Sequence, residues 1–150
     1  MKSLLIINGP NLNLLGQRQP EVYGKTTLDQ VEKLCQAKAK SCGCTITFEQ
    51  SNHEGVLVDL IQDAKGKFDA IILNAGAYTH TSVALMDAIS SVQVPVCELH
   101  LSNIHAREEF RQKSYIAPVA VGQICGFGPA GYALAIEAML SHLDKDMADA

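Results

Sequence analysis

The chain has 150 residues, 47% hydrophobic and 19% charged, with a formal net charge of -4. That suits one globular domain with its own core and leaves no basic footprint for nucleic acid. Leu4 to Ile7 is the only strongly apolar run near the amino terminus. It is too short for a signal-peptide core or a bilayer span, so a cytoplasmic protein with no membrane partner, acting on small molecules, is expected.

Ser3 to Asn8 reads as the first strand. Gly9 to Gly24 follows with two prolines, three glycines and no helical period, a long strand-to-helix connection of the kind that covers or lines a binding site. It holds Asn11, Arg18 and Tyr23. Thr27, with Gln30 three residues on, forms a capping-box pattern, and Leu28, Val31, Leu34 and Cys35 mark the stripe of a helix running to Gly43. Thr45 to Gln50 is the second strand. Val56, Leu57, Leu60, Ile61 and Ala64 mark a helix that ends around Gly66. Asp69 to Leu73 is apolar without alternation, which fits a parallel strand buried on both faces. It stops at a polar cluster, Asn74, Gly76, Thr79, His80, Thr81 and Ser82, ahead of a helix starting near Val83 that buries Val83, Leu85, Met86 and Ile89. Pro95 to Leu99 is a fourth strand, and Ser102 is expected to cap a charged helical turn reaching Arg111. Ala117 to Ile124 supplies a fifth strand, and Pro129 to Leu143 a last helix with Tyr132, Ile136 and Met139 inward. Asp144 to Ala150 reads as a fraying tail. The five cysteines, Cys35, Cys42, Cys44, Cys97 and Cys125, are odd in number and form no C-x-x-C pair, which points to reduced, mostly buried thiols.

Strands alternating with helices predict one α/β domain over residues 1–150, a three-layer sandwich with a five-stranded parallel sheet in the flavodoxin-like order 2-1-3-4-5. The switch point then falls between the first and third strands, and the loops after strands one, three and four meet over one crevice.

Gly126-Phe127-Gly128-Pro129-Ala130-Gly131 matches G-x-G-x-x-G, but the dinucleotide fingerprint belongs to a first βαβ unit with an acidic residue on the next strand. Here the chain ends in one helix, so a tight turn with Pro129 at the first helical position is expected. The histidines match no zinc spacing, so no metal is expected, and the absence of a phosphate-binding G-x-x-x-x-G-K-[ST] speaks against nucleotide binding. Glu98 and His100 stand two apart at a strand end, hence on one face. The carboxylate can hold an imidazole nitrogen and favour the protonated ring, making His100 a general acid, although the pair also fits a plain structural hydrogen bond. Arg18 and Tyr23 share the first loop; a close guanidinium stabilises a phenolate, and otherwise both are exposed loop residues. Ser102 and the backbone amides after it favour a carboxylate ligand. Arg107 and Arg111 either reach ligand hydroxyls or pair with Glu108 and Glu109, Arg107 fitting a solvated face.

Five stretches, NGPNLNLLGQRQPEVYG (8–24), SNHEG (51–55), NAGAYTHTS (74–82), ELHLSNIHAREEFR (98–111) and GFGPAGY (126–132), resemble the type II 3-dehydroquinate dehydratases in order and across roughly residues 3–143. The resemblance implies cofactor-free anti elimination of water from 3-dehydroquinate through an enolate, giving 3-dehydroshikimate in the shikimate pathway. It makes Tyr23 the base, Arg18 the cation keeping it ionised, Asn11 the holder of an enolate-stabilising water, His100 the general acid and Glu98 its orienting carboxylate. Asn74, Ser102 and the backbone near Ile104 match the substrate carboxylate site, and His80 and Arg111 match residues on the ring hydroxyls. Asp87 matches one reaching in from an adjoining subunit of a homododecamer, a tetramer of trimers. Met86 departs from the pattern, standing where many members carry a basic residue. A non-catalytic flavodoxin-like binding module accounts for the fold but not for Tyr23, Arg18, Glu98 and His100 facing one crevice.

Overall fold

The computed structural model describes residues 1–17, 21 and 24–149, with side chains described up to Lys145. Arg18 and Tyr23 lie outside the described residues. Strands β1 (Ser3–Asn8), β2 (Thr45–Gln50), β3 (Ala70–Asn74), β4 (Val96–His100) and β5 (Gly122–Cys125) form one sheet in the order β2-β1-β3-β4-β5, with every neighbouring pair parallel. This is the expected order. Helices α1 (Leu28–Cys42), α2 (Glu54–Asp63), α3 (Val83–Val92) and α4 (Ala130–Asp149) connect and follow the strands.

Side chains alternate across a strand, so a strand covered on both faces must be apolar throughout. Leu4, Ile6, Ile72 and Leu99 turn to one face, where they meet Val31 and Cys35 of α1 and Tyr132, Ile136 and Met139 of α4. Leu5, Ile7, Ile71, Leu73 and Val96 turn to the other and meet Leu57 and Ile61 of α2 and Leu85 and Ile89 of α3. Local signals set the helix ends. Thr27 and Gln30 complete the reciprocal cap of α1, Gly43 closes it at φ 73°, and the Ser82 hydroxyl caps α3 by accepting from the Leu85 N–H.

Several boundaries differ from the sequence reading, and Val83, expected inward, is exposed. β3 and β4 each sit one residue later than expected, because Pro95 has no N–H to donate and only its carbonyl joins the ladder, accepting from Ile71 at 2.9 Å. The shift makes Asn74 and His100 the last residues of their strands. The fifth strand is shorter, since Ala117–Val119 forms a 3-10 turn around Pro118 and pairing with β4 starts only at Gly122. The last helix starts at Ala130, one residue after Pro129, and its backbone continues to Asp149, with no glycine or proline after Gly131 to stop it. All five cysteines are free thiols and three are buried; burial pushes Cys35 and Cys97 up to about 12, which keeps them inert. Among the described residues no helix is long and apolar enough to cross a membrane.

The loops leaving β1 and β3 touch where Gly9 donates to the Asn74 carbonyl at 2.7 Å. A Cβ at Gly9 would run into the Ala75 carbonyl oxygen, an overlap with backbone that no rotamer relieves. Gly9→Ala is therefore expected to cost about 3 kcal/mol in urea unfolding; a loss below about 0.5 kcal/mol, the range of an ordinary surface change, would show that the two loops separate freely.

Candidate active site

A cleft opens at the carboxyl edge of the sheet, over β1, β3 and β4. Asn11, Leu12 and Leu15 line it from the first loop, Asn74 from the end of β3 and His80 from the loop after it, and His100 from the end of β4 with Ser102, Ile104, Arg107 and Arg111 from the loop that follows. The strand order forces this convergence, because at a switch point neighbouring connections leave for opposite faces and open a gap between them.

Glu98 and His100 stand on one side of β4, and the Nε2 of His100 lies 2.6 Å from Glu98 Oε2. Glu98 is fully buried, so its charge needs partners. The Ser114 hydroxyl is 2.9 Å from both carboxylate oxygens and Gln123 Nε2 is 2.9 Å from Oε2. Ser114 Oγ already accepts from the Ile116 and Ala117 N–H groups, so its own hydrogen is left for Glu98. Burial pushes the Glu98 carboxyl up, but the hydrogen bond and charge of His100, with the bonds from Gln123 and Ser114, outweigh it and hold the group below the usual range. The anion occupies Nε2 of His100, leaving Nδ1 as the nitrogen free for other work.

His80 closes the short 3-10 turn Gly76–His80, and its ring stacks on His100 with centroids 6.3 Å apart and planes 18° apart. Its Nδ1–H donates to the Lys113 carbonyl at 2.8 Å, leaving Nε2 as an acceptor. Burial lowers the His80 pKa and the charges of His100 and Arg111 add to that, outweighing the Lys113 carbonyl and Glu98, which raise it. Arg111 lines the cleft while its Nε donates to Glu108 at 2.6 Å and its guanidinium lies 5.1 Å from the Phe110 ring centroid. Arg107 is not on a solvated face: it lines the same cleft and donates to Ser102 Oγ at 3.5 Å.

Ser102 does not cap a helix. The chain makes two separate 3-10 turns, Ile104–Ala106 and Glu109–Arg111, with Arg107 extended between them, and the cap is Asn103, which accepts from the His105 N–H at 3.1 Å. Asn11 stands in the left-handed region at φ 68°, a conformation asparagine tolerates, with its N–H donating to Asn52 Oδ1 at 3.0 Å. Asn74 is buried at the cleft floor and donates to the Tyr132 hydroxyl at 2.9 Å. Asp87 is exposed on α3 and is not part of the cleft lining. Among the described residues no group of three or more His, Cys, Asp or Glu is arranged to hold a metal ion.

The sequence pattern of the family Dehydroquinase class II matches residues 2–140. The chain belongs to the class II dehydroquinases. This dehydroquinase is 63% identical to the 3-dehydroquinate dehydratase of Ruegeria pomeroyi, over 97% of this chain and 98% of that one. It is 61% identical to the enzyme of that name from Dinoroseobacter shibae, over 93% of each. The crystal structure of type II dehydroquinase from Butyrivibrio crossotus superposes with a TM-score of 0.90 at 43% identity, covering 91% of this chain and 96% of that one.

Sequence reasoning missed the partners that hold the dehydroquinase's buried polar groups. Ser114 and Gln123 lie 16 and 25 residues from Glu98, and the sequence marks Tyr132 only as a core residue. No local pattern announces such contacts, although a polar Asn8 ending an apolar strand hints at one.

Because the folded carboxyl of Glu98 titrates below its unfolded value, its stabilisation is complete above that value, about 4.3, and is lost as pH falls through the lower folded one. Glu98→Gln is expected to flatten the fall of the urea midpoint between neutral pH and acid. A variant whose acid limb matched that of the parent chain would mean that Glu98 is not held as an anion.

Proposed function

We propose that this class II dehydroquinase eliminates water from 3-dehydroquinate to give 3-dehydroshikimate, a step of the shikimate pathway toward chorismate and the aromatic amino acids, by anti elimination through an enolate. The observation that carries the acid half is the buried His100–Glu98 pair at 2.6 Å beside the cleft. With Nε2 held by the anion, Nδ1 of the protonated ring is the proton donor to the departing C1 hydroxyl, which leaves as water.

The base is assigned to Tyr23, acting as tyrosinate on the C2 proton, with Arg18 supplying the positive charge that keeps it ionised; both assignments follow the motif NGPNLNLLGQRQPEVYG. A proton beside a ketone is weakly acidic, so the step also needs stabilised charge at the carbonyl oxygen, the part given to a water held by Asn11. Asn74, Ser102 and the backbone at Ile104 hold the substrate carboxylate. His80, whose free Nε2 is an acceptor, and Arg111 take the ring hydroxyls. An exposed Asp87 away from its own cleft suits a contact into a neighbouring protomer's site, within a tetramer of trimers, and the enzyme is assigned to the cytoplasm.

The expected result in a 3-dehydroquinate assay, followed by the ultraviolet absorbance of the conjugated enone product, is that Tyr23→Phe and His100→Ala each lower kcat by about 10³-fold with the circular dichroism unchanged. Near-normal turnover by Tyr23→Phe would remove the base assignment and leave the acid assignment standing.

A further inference from the structure

Three side chains outside the reacting groups form a closed polar relay beneath the cleft. Asn8 and Asn74 are paired across β1 and β3 at the last rung of the ladder. Their side chains point to the α4 face, where the Tyr132 hydroxyl lies between them, 2.6 Å from Asn8 Oδ1 and 2.9 Å from Asn74 Nδ2. All three residues are buried, and neither Tyr132 nor Asn8 lines the cleft.

The relay has a direction, and backbone fixes it at both ends. Asn8 Nδ2 lies 3.0 Å from the Glu49 carbonyl, which can only accept. Asn8 must therefore turn its Oδ1 to Tyr132, whose hydroxyl hydrogen is committed to it. The phenol oxygen is then left to accept, and only the amide nitrogen of Asn74 can face it. Asn74 Oδ1 faces the Gly76 N–H at 3.4 Å, which can only donate. The hydrogen left on Asn74 Nδ2 is what this residue can offer an acceptor in the cleft.

We propose that Tyr132 is a positioning residue that sets the flip of the Asn74 amide, so that the cleft floor offers a donor suited to a carboxylate oxygen. This rests on the reading of Asn74 as a carboxylate contact. A phenylalanine at 132 keeps the ring packing and removes the shorter of the two links that set the flip, leaving only the long 3.4 Å contact from the Gly76 N–H to oppose a turn of the amide oxygen toward the ligand. The relay belongs to substrate binding and not to proton transfer, since Glu98 and His100 sit on the opposite face of the sheet.

Steady-state kinetics of the full-length enzyme with 3-dehydroquinate test this. Tyr132→Phe is expected to raise KM about tenfold with kcat within about threefold and its pH profile unchanged, the loss of one hydrogen bond to a charged group. Asn8→Leu is expected to raise KM likewise, since Tyr132 is then free to donate to Asn74 and turn it; it carries the same test should Tyr132→Phe not fold. In an Asn74→Ala background Tyr132→Phe is expected to add less than about twofold, because the relay has nothing left to orient. An unchanged KM in Tyr132→Phe, or effects that multiply in the double variant, would overturn the relay while Asn74→Ala still raised KM. An unchanged KM in Asn74→Ala would instead bring down the carboxylate reading of Asn74, and the relay with it.

Discussion

A carboxylate with no access to water is the constraint around which this molecule is arranged. Ionised and unpaired, Glu98 would be among the costliest groups in the fold, because an uncompensated buried charge loses its hydration with nothing in return. Its oxygens instead meet His100, Ser114 and Gln123. Those partners come from three segments: the end of β4, the loop before β5, and β5 itself. The site and the β4–β5 edge are thus one structure, and loosening either releases the other. Removing one donor leaves the anion short of a partner, whereas removing the anion leaves three donors competing for nothing.

The two faces of the sheet carry different chemistry to the same opening. On the α2/α3 face β4 ends in Glu98 and His100, a pair able to hold and release a proton. On the α1/α4 face β1 and β3 end in Asn8 and Asn74, amides that do not titrate and so offer fixed dipoles. A parallel sheet separates such functions naturally, because successive residues of a strand face opposite sides while all the strands end at one edge. Gly9 and Gly76 hold that edge tight. The Gly9 backbone sits against Ala75 with no room for a side chain, and Gly76 has φ 59° with the Pro10 carbonyl 3.2 Å from where its Cβ would be.

The layout was legible because it depends on periodicity. Unbroken apolar runs at Leu4 to Ile7 and Ala70 to Leu73 identify strands covered on both faces, and the capping box at Thr27 is local and is used. What the pattern does not carry is where pairing stops, since register belongs to two strands at once; hence the one-residue shifts of β3 and β4. Asn11, Asn74, His80, His100, Ser102, Ile104 and Arg111 do share one cleft, and Glu98 lies directly behind His100. Asp87 does not line that cleft. Ser102 does not cap the expected charged helical turn, because the backbone breaks at Arg107 into two short turns and Asn103 takes the cap. Ser114, Gln123 and Tyr132 escaped notice because their partners are distant in sequence, and a serine or glutamine carries no trace of which buried charge it serves.

Two imidazoles in one cleft need different states to be useful, and their surroundings separate them. His100 has an anion on Nε2, a partner that gains from a positive ring. His80 has a peptide carbonyl on Nδ1, which fixes the tautomer while supplying only a dipole, and faces the positive charge of Arg111 and of His100 itself. The His80 ring is stacked 6.3 Å from His100, and that neighbour lowers its pKa further. The two rings are of one residue type and are distinguished by what stands behind each, a buried carboxylate for His100 and a peptide carbonyl for His80.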